Sequence, residues 1–237
     1  MPPRLTLYGV VNVLVVCTAN ICRSPTAARG LRVGLAEAGL APESVEVESA
    51  GVAAADDLPM CEVADTLSAA RLGSGGSHRS RPVTAEIAES ADLILAADRG
   101  HRTAVGRLAP STRARVFTLR QAARLAEWVT TDSGVLEFAA GRAAGAEPDL
   151  PEDDPRIQVP PLPEDREQRL VWLISEMDAA RGMAPLDVDT GEPSDWHPED
   201  IVDPHATDWQ LHEAAVESCL NSTAAIVQAF RRVNSMP

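Results

Sequence analysis

Residues 13–28, VLVVCTANICRSPTAA, run from an apolar segment through a polar loop into the start of a helix. Asn12–Val16 (NVLVV) is β-branched and apolar on both faces, the pattern of a central parallel strand covered by helices on each side. Ser24 is a favoured helix N-cap and Pro25 a favoured first helical residue. Ala28, Leu31, Leu35 and Ala38 then recur at three- to four-residue spacing, predicting a helix that stops near Gly39. Between strand and helix lies a loop of the form Cys-x5-Arg-Ser, Cys17 to Ser24. Its length lets the backbone N–H groups of Thr18, Ala19, Asn20, Ile21, Cys22, Arg23 and Ser24 curl around one tetrahedral anion. The helix N-terminus adds positive potential, and Arg23 offers a bidentate fork. The same field favours a thiolate nucleophile at Cys17.

Working outward, Val45–Ser49 (VEVES) alternates as a shorter strand and closes on Ala50-Gly51. Residues 61–72 carry a helical pattern, Thr84 opens a short helix, and Ala91–Ala96 (ADLILA) is a second two-sided strand. A helix near 103–108 and a strand at 115–119 (RVFTL) complete the alternation, which predicts a three-layer α/β/α fold around a four-stranded parallel sheet. Beyond that the regularity falters. Gln121–Val129 and Glu164–Arg181 read as helices, 143–163 and 186–198 as loop, and His212–Val233 as a closing helix.

The net charge of −14 is unevenly spread. From Glu147 to Asp208 there are 18 acids against four arginines, and elsewhere 17 acids meet 17 arginines, so one window holds the whole excess. A duplex nucleic-acid binder needs a basic face, so nucleic acid is excluded as a partner. Every basic residue is Arg, a composition bias and not chemistry. The Val10–Val16 run is too short to span a membrane. A secretion signal is disfavoured by the thin Arg4 flank and bulky Val16. Four cysteines make no disulfide scaffold. A cytoplasmic protein that does not bind membranes is expected.

At these residues the chain resembles the low-molecular-weight protein tyrosine phosphatase family, in its bacterial form. The resemblance continues at Ser49-Ala50-Gly51, at His78-Arg79-Ser80-Arg81, at Ala91–Asp98 and at Asp200-Ile201-Val202-Asp203-Pro204. It implies a phosphatase I-like core over 1–120 and 198–237, acting on a phosphorylated protein or small phosphomonoester without cofactor or metal. It also implies Cys17 as nucleophile, Arg23 as phosphate clamp and Asp203 as general acid. Ser24 would hydrogen-bond the thiolate, Asn20 brace the loop, and His78 and Asp98 support it from behind. Cys22 matches the family's second loop cysteine, which can protect the nucleophile as a disulfide. Asp200 and Asp208 are the next candidates for the acid.

Cys61 and Cys219 read as core residues on apolar helical faces. A thioredoxin-coupled arsenate reductase, which needs two closely spaced further redox cysteines, is the first alternative. A non-catalytic phosphate-binding module is the second. His101, His197, His205 and His212 show no metal-like grouping along the sequence. Three features depart from the family. His205 and Ala206 follow Asp-Pro where eukaryotic members usually have aromatics, Ala53–Ala55 replaces a common aromatic, and Ala19 replaces a frequent Gly. The largest departure is residues 121–197, read as an acidic helical and loop insertion that docks a partner or acts as a lid.

Overall fold

A computed structural model describes residues 10–73, 76–146, 150–151, 154–186, 197–206 and 210–237. Arg4, Asp208 and most of the 186–198 loop lie outside them. The four expected strands form: β1 (Val11–Cys17), β2 (Val45–Gly51), β3 (Leu93–Ala96) and β4 (Val116–Thr118). All pair in parallel, in the order β2-β1-β3-β4. The most apolar strand is therefore central, with Cys17 at its carboxyl end, paired with Gly51 of β2.

Strand alternation sorts the layers. Val13 and Val15 face one side, toward α1 (Arg23–Glu37), α5 (Leu119–Thr131) and α8 (Gln210–Ser235). Leu14 and Val16 face the other, toward α3 (Ala85–Ser90) and α4 (Arg99–Leu108). α2 (Glu62–Leu72) packs beside α1 and α8. Helices α1 and α8 approach closely, since a Cβ on Gly30 would stand 2.6 Å from Thr223 Oγ1.

The described residues of 119–184 pack into the same apolar cluster as the sheet, through Leu125, Leu136, Leu162 and Leu173 among others. α6 (Val135–Ala143), which the sequence pattern does not predict, packs on α5, and α7 (Arg166–Ala179) packs on α5 and α8. Three arginines fasten this region. Arg169 donates to the carbonyls of Pro163, Val233 and Met236, so it takes up a last-turn carbonyl of α8 and ties the residue beyond the helix to the segment before α7. Arg181 lies 3.8 Å from the Phe117 ring centroid and donates to Val116 O. Arg124 joins Ala184 O to the Glu199 carboxylate, 2.9 and 2.7 Å away.

Candidate active site

The Cys17–Ser24 loop sits where β1 ends and α1 begins. The Ser24 cap expected from sequence is corrected here. α1 starts at Arg23 with Cys22 in the cap position and no side-chain capping bond, so Ser24 lies inside the first turn. Its hydroxyl contacts Cys17 Sγ at 3.0 Å instead. That hydroxyl also accepts from the Asn20 side-chain amide at 2.9 Å, so it is engaged within the loop and not at the helix end.

Asn20 is buried at φ +56°, a left-handed conformation that Asn tolerates. Its side-chain amide donates to Ser24 Oγ and Ser49 Oγ, both at 2.9 Å, and its carbonyl side accepts from Arg81 N. His78 Nε2 lies 2.6 Å from the Asn20 backbone oxygen. Burial, with Arg32, Arg29 and Arg81 nearby, depresses the His78 pKa against the pull of that hydrogen bond. Ala19 is not among the positive-φ residues, so the loop needs no glycine there. Gly51 supports the loop from β2: a Cβ would stand 2.4 Å from Thr18 O and 2.9 Å from Asn20 N.

Arg23, 3% exposed, joins the other half of the site. Its Nη1 donates to Ile201 O at 2.9 Å and lies 3.3 Å from Asp98 Oδ2. Its Nη2 donates to Thr18 Oγ1 at 3.0 Å and to Asp203 Oδ2 at 2.5 Å. Thr18 Oγ1 lies 3.2 Å from the same Asp203 oxygen. Asp203 is brought there by a moored loop: Ile201 N donates to Ala97 O, and Asp200 takes Arg99 through its backbone N–H and guanidinium. The structure thus gives Asp200 to a surface ion pair and Asp203 to the cradle.

His101 is a site residue that sequence reasoning missed. It is buried, its Nε2 is 2.9 Å from Thr18 Oγ1, and its Nδ1 is 2.8 Å from Asp98 Oδ2 in a poorly aligned contact. Asp98 also caps α4 by accepting from His101 N. Burial works to raise the Asp98 pKa, but the His101 contacts and Arg23 outweigh it and hold the carboxyl below its ordinary range. The available signal was Asp98 three residues before a histidine at a helix start.

Cys22 is buried, and burial together with the other three cysteines pushes its pKa upward against Arg23, so it rests as a thiol. A thiol is a slow attacker in disulfide exchange. Cys61 is corrected from a helix face to the N-cap of α2, where its N–H donates to Ile21 O at 2.7 Å. Cys219 is fully buried in α8, its thiol pushed up to about 12 by burial. Neither is placed as a mobile redox thiol, which the arsenate reductase alternative requires.

A thiol at a strand end, a loop that runs from it into a helix N-terminus, a buried arginine and a carboxylate on an Asp-Pro loop define a cysteine-based phosphoryl-transfer site. Residues 12–132, just over half of the chain, match the family model for low molecular weight phosphotyrosine protein phosphatase, and the chain belongs to that family. It is accordingly a phosphoric monoester hydrolase. The chain is 38% identical over 110 residues to the low molecular weight protein-tyrosine-phosphatase Etp of Escherichia coli K12, covering 46% of this chain and 70% of that protein. A Streptomyces coelicolor protein-tyrosine-phosphatase is 37% identical over 111 residues, 46% of this chain and 67% of its own length. In three dimensions the fold matches the Erwinia amylovora tyrosine phosphatase AmsI at a TM-score of 0.53 and 20% identity, covering 95% and 96% of the two chains. It matches the YwlE arginine phosphatase at 0.54 and 18%, covering 92% and 94%. Among the described residues no helix is long and apolar enough to cross a membrane.

Proposed function

We propose that this chain hydrolyses aryl phosphomonoesters, phosphotyrosine in proteins above all, through a cysteinyl-phosphate on Cys17. The observation that carries the reading is the convergence of Cys17, Ser24, Thr18, Arg23 and Asp203 on one loop mouth. An incoming phosphate dianion competes with Asp203 for the Arg23 fork and takes the loop N–H groups as well. The Cys17 thiolate attacks phosphorus in line while Asp203 gives its proton to the departing phenolic oxygen. In the second step Asp203 takes a proton from water, the water oxygen bonds to phosphorus, and the P–S bond breaks. Ser24 Oγ, 3.0 Å from Cys17 Sγ, donates to the sulfur as it regains its charge. Asn20, His78, Asp98 and His101 position these groups without touching substrate.

Ala53–Ala55, His205 and Ala206 stand where family members often carry aromatics, so a substrate ring gains little stacking. Recognition rests mainly on the phosphate. Residues 121–197 are, in this reading, an addition to a core made of 1–120 and 198–237, and its negative charge disfavours acidic substrates. The family match runs to residue 132, through the whole of α5, so it supports an addition only beyond that point. α5 is its junction with the core. The test is hydrolysis of para-nitrophenyl phosphate in metal-free buffer by the full chain and by Cys17→Ser. The variant should bind phosphate but not turn over. Undiminished turnover in Cys17→Ser would overturn the mechanism.

A further inference from the structure

Histidines with no metal-like grouping in the sequence gain one on folding. The ligating atoms of Cys22, His205 and His212 all lie within 4.8 Å of one another. Cys22 comes from the phosphate loop, His205 from the turn directly after Asp203-Pro204, and His212 from the first turns of α8. The two imidazoles meet edge to face, ring centroids 4.8 Å apart. A second observation points to a ligand: His212 is 8% exposed, yet its Nδ1 is buried without a hydrogen-bond partner. A buried ring nitrogen left unpaired is costly unless something binds it.

We infer that Cys22, His205 and His212 form a site for a divalent transition metal ion, zinc by preference, that regulates the phosphatase. One thiolate and two imidazoles are the donor set zinc takes, at about 2.3 Å to sulfur and about 2.0 Å to nitrogen. Contraction of these spacings by up to about 1.5 Å brings the three atoms to tetrahedral spacing and leaves a fourth position for water. On binding, Cys22 gives its thiol proton to solvent and the sulfur bonds the ion. The consequence for activity follows from the attachments. His205 N donates to Asp203 Oδ1 at 3.1 Å, so an ion on His205 pins the general-acid turn. It also ties that turn to the loop residue Cys22, whose N–H belongs to the anion cradle. Occupancy therefore inhibits turnover, and a chelator restores it.

The experiment titrates the full-length protein with Co²⁺ and, separately, with Zn²⁺. Co²⁺ should bind one ion per chain with an intense near-ultraviolet thiolate-to-metal band. His212→Asn and His205→Ala should each weaken binding by more than about 100-fold, beyond the roughly 10–100-fold that loss of an outer-shell partner alone commonly costs. Zn²⁺ should inhibit aryl-phosphate hydrolysis, and both variants should need at least about 100-fold more zinc for the same inhibition. His205 is exposed, so its replacement leaves the core intact even if His212→Asn destabilises α8. A missing thiolate band overturns the site, since no cysteine then holds the ion. A His205→Ala protein that shows the same band and is inhibited by Zn²⁺ like the parent also overturns it, and places the ion on Cys17. The cobalt spectrum needs no catalysis, so its outcome stands apart from that of the proposed mechanism.

Discussion

Arg23 Nη2 and Asp203 Oδ2 lie 2.5 Å apart, so the anion clamp and the general acid hold each other across the mouth of the cradle. A substrate phosphate must divide this pair, drawing the guanidinium to itself and leaving Asp203 beside the leaving oxygen. Asp203→Ala should lower kcat by ~10²–10⁴, the usual contribution of a positioned acid. The loss should be steepest for leaving groups of high pKa, measured across a series of substituted phenyl phosphates. Full rate in Asp203→Asn on the poorest leaving group would assign the acid elsewhere.

Gly51→Ala tests how tightly β2 supports the loop. The new methyl would meet Thr18 O at 2.4 Å, and both atoms are held by backbone. Overpacking of this kind costs about 1–3 kcal/mol. Thermal unfolding should show a lowered Tm, and kcat/KM should fall because the displaced segment begins the anion cradle. An unchanged kcat/KM would show that the loop tolerates the shift.

Glu176 on α7 gives a pH-dependent prediction. Burial raises its pKa from 4.5 to about 7. Between these values the folded protein binds more protons than the unfolded one, so stability falls as pH rises. Above about 7 the whole penalty is present, on the order of 3 kcal/mol. Glu176→Gln should therefore raise Tm at pH 8 and leave it nearly unchanged at pH 4. Equal gains at both pH values would point to packing instead of ionisation.

The acidic window between Glu147 and Asp208 predicts a salt effect. Raising ionic strength screens repulsion between this segment and an anionic substrate. kcat/KM for an acidic phosphotyrosine peptide should rise relative to that for para-nitrophenyl phosphate, and deleting about residues 143–163 should shrink the difference. Identical salt responses before and after the deletion would detach the segment from substrate choice.

The strands, the cradle and Asp203 were legible because each has a local signature: two-sided apolar runs, a cysteine and an arginine at fixed spacing, an Asp-Pro pair before the last helix. His101 was not, because its partners Thr18 and Asp98 come from different strand ends and meet only in the folded sheet. Ser24 was misread because its hydroxyl is taken by Cys17 Sγ and the Asn20 amide, contacts that only the folded loop brings together. α6 escaped because its start, Gly134 in a left-handed conformation, reads as a breaker, and its alanine-rich sequence has weak periodicity. The Cys22–His205–His212 cluster spans most of the chain's length and has no linear pattern at all.

Arg23 also donates to Ile201 O at 2.9 Å, and that bond sets how any measured loss at this site should be interpreted. One guanidinium both holds the ligand and anchors the backbone that delivers the acid. Removing it releases two functions together, so the costs of Arg23→Ala and Asp203→Ala do not sum to the cost of the double variant. Only a thermodynamic cycle across both positions separates the charge that Arg23 contributes from the order it imposes.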